Sequence, residues 1–191
     1  GGMGVYSPVK KITPAIIDEA METIMKPMAK AMMEEGHPFT GFLYGGLMLT
    51  DKGIKTIEFN ARFGDPEAEV ILPRLKSDFV EVIENIMNHK TVELTWDEEV
   101  TLGVVMASEG YPASSTKGAV IKGFEDVDSM IFHMGTKEID GNLVTDGGRV
   151  LIVVSKEKTL EEAYKKAYDD VEKITCDKLF YRKDIGKKDM Q

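Results

Sequence analysis

Apolar residues recur at helical spacing in the first part of the chain. Thr13 followed by Pro14 is a typical helix start, and Gly36 offers a stop. The apolar residues between these signals are Ile17, Met21, Ile24, Met28 and Met32. This spacing predicts a surface helix with a methionine-rich buried stripe. Pro27 lacks a backbone donor and crowds the preceding turn, so the helix is expected to bend or break there.

The apolar pattern then changes to the alternation of strands. The stretch FTGFLYGGLMLT, residues 39–50, is followed by the turn letters DKG and then by IKTIEFN. This order predicts two strands joined by a tight turn. Downstream, Gly64 permits a sharp turn, Asp65 is suited to cap a helix, and Pro66 suits a first helical position. A second helix is expected to follow Asp78, which is a further capping residue.

The second half of the chain has its own pattern of strands and one strong helix. The stretch TLGVVMA, residues 101–107, predicts a buried strand, and LVTDGGRVLIVV predicts a hairpin that turns at residues 146–148. Thr159 and Glu162 form a capping box ahead of an uninterrupted apolar stripe. The stripe consists of Leu160, Ala163, Tyr164, Ala167, Val171 and Ile174. With residues 90–99 as a candidate linker, a second mixed α and β unit is expected to follow.

Composition narrows the class of protein. With 24 basic and 33 acidic residues the net charge is -9, which argues against a nucleic-acid surface because phosphates are neutralised by clustered Lys and Arg. The single cysteine, Cys176, excludes an internal disulfide, and the three histidines lack the spacing of zinc ligands. No apolar run approaches the length of a membrane span and no signal-like start is present, so the cytoplasm is the expected location.

The stretch IEFNARFGDPE, residues 57–67, concentrates polar side chains around two phenylalanines. In a strand, Glu58 and Asn60 would share one face while Ile57 and Phe59 anchor the other. The carboxylate and amide oxygens could hold Mg²⁺, which prefers oxygen ligands and is often shared with substrate phosphates. They could equally form the wet face of an amphipathic strand. Local pattern leaves both interpretations open.

Other polar and glycine positions are open in the same way. Arg62 is either a solvated turn residue or a planar donor to a phosphoryl oxygen. Asp65 and Glu67 could simply complement a helix dipole. The opening GGMG, residues 1–4, is either an expression scar or a backbone that approaches a ligand closely. Arg149 follows the predicted DGG turn and could be only a solvated charge.

Six segments, taken in order, resemble one family. They are GGMGVYSP, TGFLYGGLM, IEFNARFGDPEAEVILPRLKSD, LGVVMASEGYP, TDGGRVL and FYRKDIG. Together they resemble the C-terminal part of the phosphoribosylamine-glycine ligases, also called glycinamide ribonucleotide synthetases, which are ATP-grasp enzymes. The resemblance spans nearly the whole chain and implies that the opening glycines belong to the protein.

The resemblance implies an α+β fold and a fragment of a larger enzyme. Residues 1–98 would be the C-terminal part of an ATP-grasp domain, and residues 99–191 a small mixed α/β C-terminal domain. The N-terminal half would be missing, and the fragment would be inactive alone. The implied ligase joins glycine to 5-phosphoribosylamine through glycyl phosphate in purine biosynthesis, converting ATP to ADP and phosphate. The alternative is a free-standing, non-catalytic binding module of ATP-grasp origin.

The resemblance also assigns roles to individual residues. Glu58 and Asn60 match the family's ligands for Mg²⁺ or Mn²⁺, and Arg62 would act beside the transferring phosphoryl group. The residues implied in substrate binding are Gly2, Met3, Gly4, Asp65, Glu67 and Arg149. Many ATP-grasp enzymes carry a further acidic ligand on the preceding strand, but FLYGGLM contains none. The number of metal ions is therefore open.

Overall fold

The computed structural model describes residues 2–190, so Gly1 of the opening GGMG lies outside the described residues. The chain divides into two compact units. The major unit contains residues 2–8, 65–74 and 97–190, and the minor unit contains residues 9–64 and 75–96. The boundary expected between residues 98 and 99 stays a prediction about the family's domains.

Helices and strands alternate irregularly along the chain. In order they are β1 (Gly4–Ser7), α1 (Pro14–Ala20), α2 (Lys26–Glu34), β2 (Tyr44–Thr50), β3 (Gly53–Asn60), α3 (Ala68–Ile71), α4 (Phe79–Met87), β4 (Val100–Ser108), β5 (Met130–His133), β6 (Thr136–Ile139), β7 (Asn142–Thr145), β8 (Arg149–Glu157), α5 (Leu160–Val171) and β9 (Leu179–Phe180). Short 3₁₀ turns lie at Leu72–Arg74, Phe124–Asp126 and Lys187–Asp189. Within residues 2–190, no helix is both long enough and apolar enough to cross a membrane.

The major unit is built on an antiparallel sheet in the order β1-β4-β8-β5, with β9 paired to β4. All nine residues of β4 are buried, which confirms the predicted buried strand. Alternate side chains of a strand point to opposite faces, and here both faces are covered. Leu102 and Val104 lie in the core cluster that includes α5, whereas Val105 lies in a second cluster with Val70 of α3.

Helix α5 begins where the capping residue predicts. The side chain of Thr159 accepts a hydrogen bond from the backbone N–H of Glu162 at 3.2 Å. The predicted stripe is buried at Leu160, Ala163, Ala167, Val171 and Ile174, with Tyr164 partly buried, and Tyr168, which was not predicted, is buried on the same helix. The sequence therefore predicted both the start of this helix and the face that covers the sheet.

The predicted hairpin at residues 146–148 is wrong. Strand β7 pairs with β6 in a separate two-stranded ribbon, and β8 pairs with β4 and β5. The central residues of β8 are buried, and buried backbone N–H and C=O groups need hydrogen-bond partners, which β4 and β5 supply along the two edges of β8. The glycines of the turn instead allow close approach of backbones, and a Cβ on Gly147 would lie 3.0 Å from the Cα of Gly135.

The minor unit begins with the predicted helix. The side chain of Thr13 accepts from the backbone N–H of Ile16 at 3.4 Å, and Gly36, at φ 81°, ends the helix. The helix was expected to bend or break at Pro27, but it continues through that residue. The π-helical turn Met21–Met25 joins α1 to α2 just before Pro27. A π turn changes the backbone pairing without ending the helix.

The apolar stripe of this helix is less buried than predicted. Ile17 is 50% exposed and Met21 is 43% exposed, and none of the residues of α1 and α2 is fully buried. The stripe borders an open apolar cavity of about 420 Å³ that β2 and the start of β3 also line. The helical period was therefore predicted correctly, but the degree of burial was not.

Asp170 is a buried charge that ties α5 to the loop before β5. It is 1% exposed, accepts from the backbone N–H of Ser129 at 2.9 Å, and lies 2.7 Å from Lys173 Nζ. Burial alone would raise the pKa of Asp170, but these hydrogen bonds outweigh burial and lower it to about 2. The ionised carboxylate therefore stabilises the major unit above its unfolded-state pKa of 3.8.

Replacing Asp170 with Asn should destabilise the protein at pH 7 by on the order of 2 kcal/mol. Because the folded-state pKa is lowered, the contribution is complete above about pH 4 and is lost as pH falls toward 2. Urea unfolding at several pH values should show the two proteins converging in acid. Asp169→Asn, which removes an exposed carboxylate paired with Lys165, is the matched control and should change stability little. If the Asp170→Asn protein were less stable than the parent by the same free energy of unfolding at every pH, this account would be contradicted.

Candidate functional site

The two predicted metal ligands lie side by side at the end of β3. The amide Nδ2 of Asn60 donates to Glu58 Oε1 at 3.1 Å, which confirms that their polar ends point the same way. Gly46 of β2 is the cross-strand partner of Glu58, and a Cβ there would lie 3.1 Å from Glu58 Cγ. The bare glycine therefore leaves room for the carboxylate, and the ligand role of the pair stays a prediction.

Their strand does not follow the simple alternation that the sequence suggests. The pairing of β2 with β3 shifts between Gly46 and Leu47, which leaves Ile57 without a register partner. Ile57 is 64% exposed rather than anchored, while Phe59 is partly buried. A bulge of this kind re-aims side chains locally, and bulges are common beside functional sites.

The donor chemistry of this pair suits a hard cation. A carboxylate and an amide offer oxygen ligands of the type that Mg²⁺ and Mn²⁺ accept, and such ions usually complete their shells with water and phosphate oxygens. A half-turn of the Asn60 amide would present its oxygen beside Glu58. Among the residues that the structure describes, no group of three or more His, Cys, Asp or Glu side chains is arranged to hold a metal. Glu58 and Asn60 could therefore hold Mg²⁺ or Mn²⁺ only together with further ligands, such as water and phosphate oxygens.

Arg62 lies on the turn that follows β3. Its Nη1 donates to the backbone oxygen of Phe63 at 2.6 Å, and the residue is exposed. The ring of Phe63 stacks on Phe42 at a centroid distance of 4.2 Å, and Phe79 of α4 lies about equally far from both rings, at 6.0 and 6.2 Å. The packing of these three rings holds the turn in place, and Arg62 extends from that turn.

Arg149, at the start of β8, is engaged rather than solvated. Its Nη1 lies 2.9 Å from Asp65 Oδ1 and donates to the backbone oxygens of Asp65 at 3.0 Å and Gly2 at 3.4 Å. The Arg149 side chain is only 18% exposed. Two residues that were predicted separately as substrate ligands are thus brought together, across 84 positions of sequence.

Asp65 does not cap a helix, contrary to the prediction. Helix α3 begins at Ala68, and Glu67 occupies the capping position without a side-chain hydrogen bond to the helix. The carboxylate of Asp65 is paired with Arg149, which explains why it does not bond the helix N–H groups. The helix has only four residues, so its dipole is also a weak reason for placing acidic side chains here.

The opening glycines are part of the folded sheet. Gly4 lies in β1, and a Cβ on it would overlap Ile185, so close packing requires glycine there. The backbone oxygen of Met3 accepts from Val105 N at 3.1 Å, and that of Gly2 accepts from Arg149. These contacts explain the segment structurally. Contact of Gly2, Met3 and Gly4 with a substrate stays a prediction.

Glu69 is a further feature of the major unit for which the sequence predicted no role. Its Oε2 is buried without a hydrogen-bond partner. Burial is the largest cause that raises the pKa of Glu69, a hydrogen bond from its own backbone N–H lowers it, and the charges of Asp65, Arg149 and Glu67 act in opposing directions. The only signal in the sequence was a third carboxylate at the spacing 65, 67 and 69.

The predicted site residues fall into two groups, one in each unit. Glu58, Asn60 and Arg62 belong to the minor unit. Gly2, Met3, Gly4, Asp65, Glu67 and Arg149 belong to the major unit. The first group has the chemistry of a cation and phosphoryl site, and the second combines one guanidinium with several carboxylates.

Sequence comparison matches both parts of the chain to one family. Residues 1–68 match the ATP-grasp (A) domain of phosphoribosylglycinamide synthetase, and residues 101–188 match the C domain of phosphoribosylglycinamide synthetase. The chain is 52% identical over 190 residues to the phosphoribosylamine–glycine ligase of Halalkalibacterium halodurans, covering 98% of this chain and 44% of that protein. It is 46% identical to the ligase of Listeria innocua, covering 98% of this chain and 46% of that protein.

Solved structures give the same picture. The phosphoribosylamine–glycine ligase of Thermotoga maritima superposes with a TM-score of 0.85 at 36% identity, covering 97% of this chain and 46% of that chain. The biotin carboxylase domain of Hydrogenobacter thermophilus 2-oxoglutarate carboxylase superposes with a TM-score of 0.58 at 14% identity, covering 94% of this chain and 40% of that chain. At this identity the similarity shows a shared fold alone. The predicted α+β fold class is confirmed. The chain spans less than half the length of these relatives.

Proposed function

The chain belongs to the phosphoribosylglycinamide synthetase family, and on that basis we propose that it forms the C-terminal part of a phosphoribosylamine–glycine ligase. The observation that carries the proposal is 52% identity to a ligase across 98% of the chain. The ligase joins glycine to 5-phosphoribosylamine and converts ATP to ADP and phosphate. Its product, glycinamide ribonucleotide, belongs to purine biosynthesis.

The reaction needs positioning and charge neutralisation more than covalent help from the protein. A glycine carboxylate oxygen bonds to the γ-phosphorus of ATP and ADP leaves, giving glycyl phosphate. The amine of phosphoribosylamine then bonds to the glycyl carbon, phosphate leaves, and the amine loses a proton. Glu58 and Asn60 would hold Mg²⁺ or Mn²⁺, which supplies neutralisation of phosphate charge. Arg62, presented beside them, would donate to a phosphoryl oxygen as the catalytic residue.

The group in the major unit would bind the other substrates. Asp65 and Glu67 supply negative charge for a cationic amine, and Arg149 supplies a planar donor for the phosphate of phosphoribosylamine. The contact of Arg149 with Asp65 supports a shared role, since each fixes the other. The backbone of Gly2, Met3 and Gly4 lies in the same unit and would line the substrate-binding site.

The proposal also implies the domains, the partner and the cellular location of the chain. Residues 1–98 would end an ATP-grasp domain, residues 99–191 would form the ligase's small C-terminal domain, and the remaining half of the ligase would be the partner. The net charge of -9 does not favour a nucleic-acid partner. A cytoplasmic location agrees with the bacterial metabolic enzymes that the chain resembles.

The direct test is a chimera in which this chain replaces the matching part of the Halalkalibacterium halodurans ligase. We expect glycine-dependent release of ADP and formation of glycinamide ribonucleotide, within about tenfold of the intact ligase, because a tenfold loss is only about 1.4 kcal/mol of barrier. The chain by itself should show no turnover and only weak binding of MgATP in calorimetry, because its acidic surface repels a polyanion.

Two results would contradict this proposal. A folded chimera without glycine-dependent turnover would favour a non-catalytic binding module. Turnover by the chain alone would show that it is self-sufficient, and that the division of labour between the two halves is wrong. The intact Halalkalibacterium halodurans ligase, assayed in parallel, controls for the quality of the substrates.

A further inference from the structure

The apolar residues of the minor unit are poorly buried. Among its described residues, Val82 of α4 is the only apolar residue whose side chain is buried, and all the other buried apolar residues of the protein belong to the major unit. Compact units of this size ordinarily bury a core of their own. The minor unit therefore exposes apolar surface of the kind that is usually covered by a binding partner.

The open apolar cavity of about 420 Å³ is part of this surface. It forms a groove between the helix that begins with α1 and the strand β2. The helical wall of the groove includes Ile17, Met21 and Met25, and the strand wall includes Leu47 and Leu49. Ile17 is 50% exposed and Leu49 is 49% exposed, so apolar side chains on both walls face solvent.

The chemistry of the groove favours a polypeptide over a small molecule. Sites for small ligands combine apolar walls with several polar groups that fix the orientation of the ligand. Among the described residues that line the groove, none is charged and Tyr44 alone has a polar side-chain group. In the part of the chain that the structure describes, β2 pairs with β3 alone. Because a two-stranded ribbon is marginally stable by itself, a protein segment packed on its apolar face would stabilise it.

The length of the relatives indicates where such a segment comes from. This chain covers 44% of the Halalkalibacterium halodurans ligase and 46% of the Listeria innocua ligase, so more than half of each relative has no counterpart here. The groove is formed by residues 12–54, which lie within the match to the ATP-grasp domain. A second copy of the chain is a less suitable occupant, since two copies with a net charge of -9 repel each other.

We propose that the groove is the surface on which the remaining part of the ligase docks, through an apolar segment that packs between α1 and β2. The identity of this partner rests on the proposed function. Within one polypeptide the segment is present at a high effective concentration, so a modest apolar contact is enough to keep the groove filled. Ile54 of β3 also lines the groove, so docking steadies the strand that carries Glu58 and Asn60.

The first test compares solvent access to the groove in the chain alone and in the chimera with the Halalkalibacterium halodurans ligase. Ile17→Cys places a thiol on the helical wall, and Glu19→Cys, at an exposed position of α1 that does not line the groove, is the matched control. A maleimide reagent should react with residue 17 about tenfold or more slowly in the chimera, and with residue 19 equally fast in both proteins. Mass spectrometry of the labelled peptides separates these thiols from Cys176.

Equal labelling of residue 17 in the two proteins would overturn the proposal. Protection of residue 17 in the chain alone, with a dimeric mass in light scattering, would also overturn it, because a second copy would then cover the groove. If the chimera does not fold, the aligned position of the intact Halalkalibacterium halodurans ligase is labelled instead, and a fast reaction there has the same meaning. Protection in a chimera without turnover would retain the docking surface and remove the proposed function.

The second test measures the contribution of the groove to stability. Leu49→Ser should lower the melting temperature of the chimera by several degrees, because the docked segment loses an apolar contact. The same change should shift the melting temperature of the chain alone by about a degree or less, since Leu49 is already half exposed there. Ile139→Ser, which replaces a 43% exposed residue of β6 in the major unit, is the matched control and should change neither protein much. An equal fall in both proteins, or no fall in either, would contradict docking at Leu49.

Discussion

Replacing Glu58 with Gln in the chimera should lower turnover by about a hundredfold or more while leaving the fold intact. Glutamine keeps the shape of the side chain and the oxygen that accepts from Asn60, but it removes the negative charge that holds a divalent cation against polyphosphate. Glu58 is exposed, so the substitution creates no cavity and no unpaired buried group. The melting temperature should therefore stay within about a degree of the parent.

The measurement pairs steady-state turnover over a range of Mg²⁺ concentrations with thermal unfolding. Asp51→Asn, in the exposed turn of the same β2–β3 hairpin, removes an equal charge far along the strand from Asn60 and should leave turnover nearly normal. Near-normal turnover of Glu58→Gln at saturating Mg²⁺ would refute the ligand assignment. A large fall in melting temperature would mean that Glu58 has a structural role instead.

The features that the sequence predicted well depend on neighbours along the chain. Thr13, Asp78 and Thr159 each accept hydrogen bonds from N–H groups two or three residues ahead, so a capping residue and its partner are visible in one short window. The β2–β3 hairpin is likewise closed by a local turn, with Gly53 at φ 86°. The proximity of Glu58 and Asn60 follows from the same short-range geometry.

The features that the sequence missed depend on partners far along the chain. The apolar sequence of β8 is compatible with a hairpin to β7, but the strands that pair with β8 are β4 and β5. The apolar pattern alone does not decide which of these pairings forms. The contact between Arg149 and Asp65 joins residues 84 positions apart, and it removes Asp65 from the capping role that its local sequence favours. The unpartnered oxygen of Glu69 exists only because this fold buries it.

Arg149→Ala is expected to raise the Michaelis constant of the chimera for phosphoribosylamine roughly 10- to 100-fold, and that for ATP by about twofold or less. A guanidinium paired with a phosphate contributes about as much as other charge-assisted hydrogen bonds, and only the substrate with that phosphate loses its partner. Because Arg149 also holds Asp65, the constant for glycine should rise by a smaller amount. Initial-rate kinetics with each substrate varied in turn separates the three effects.

Two comparisons distinguish substrate binding by Arg149 from a purely structural tie between β8 and Asp65. Arg149→Lys keeps the positive charge but not the planar fork, so it should recover part of the lost affinity for phosphoribosylamine. Thermal unfolding reports the structural contribution, since losing the contacts to Asp65 and Gly2 lowers stability whether or not a substrate binds. If the alanine variant melts earlier but its three Michaelis constants rise equally or not at all, Arg149 holds the fold together and a different residue binds the phosphate. If the constant for phosphoribosylamine alone rises steeply and lysine restores part of it, the guanidinium contacts that substrate, and Asp65 is held beside it by the same side chain.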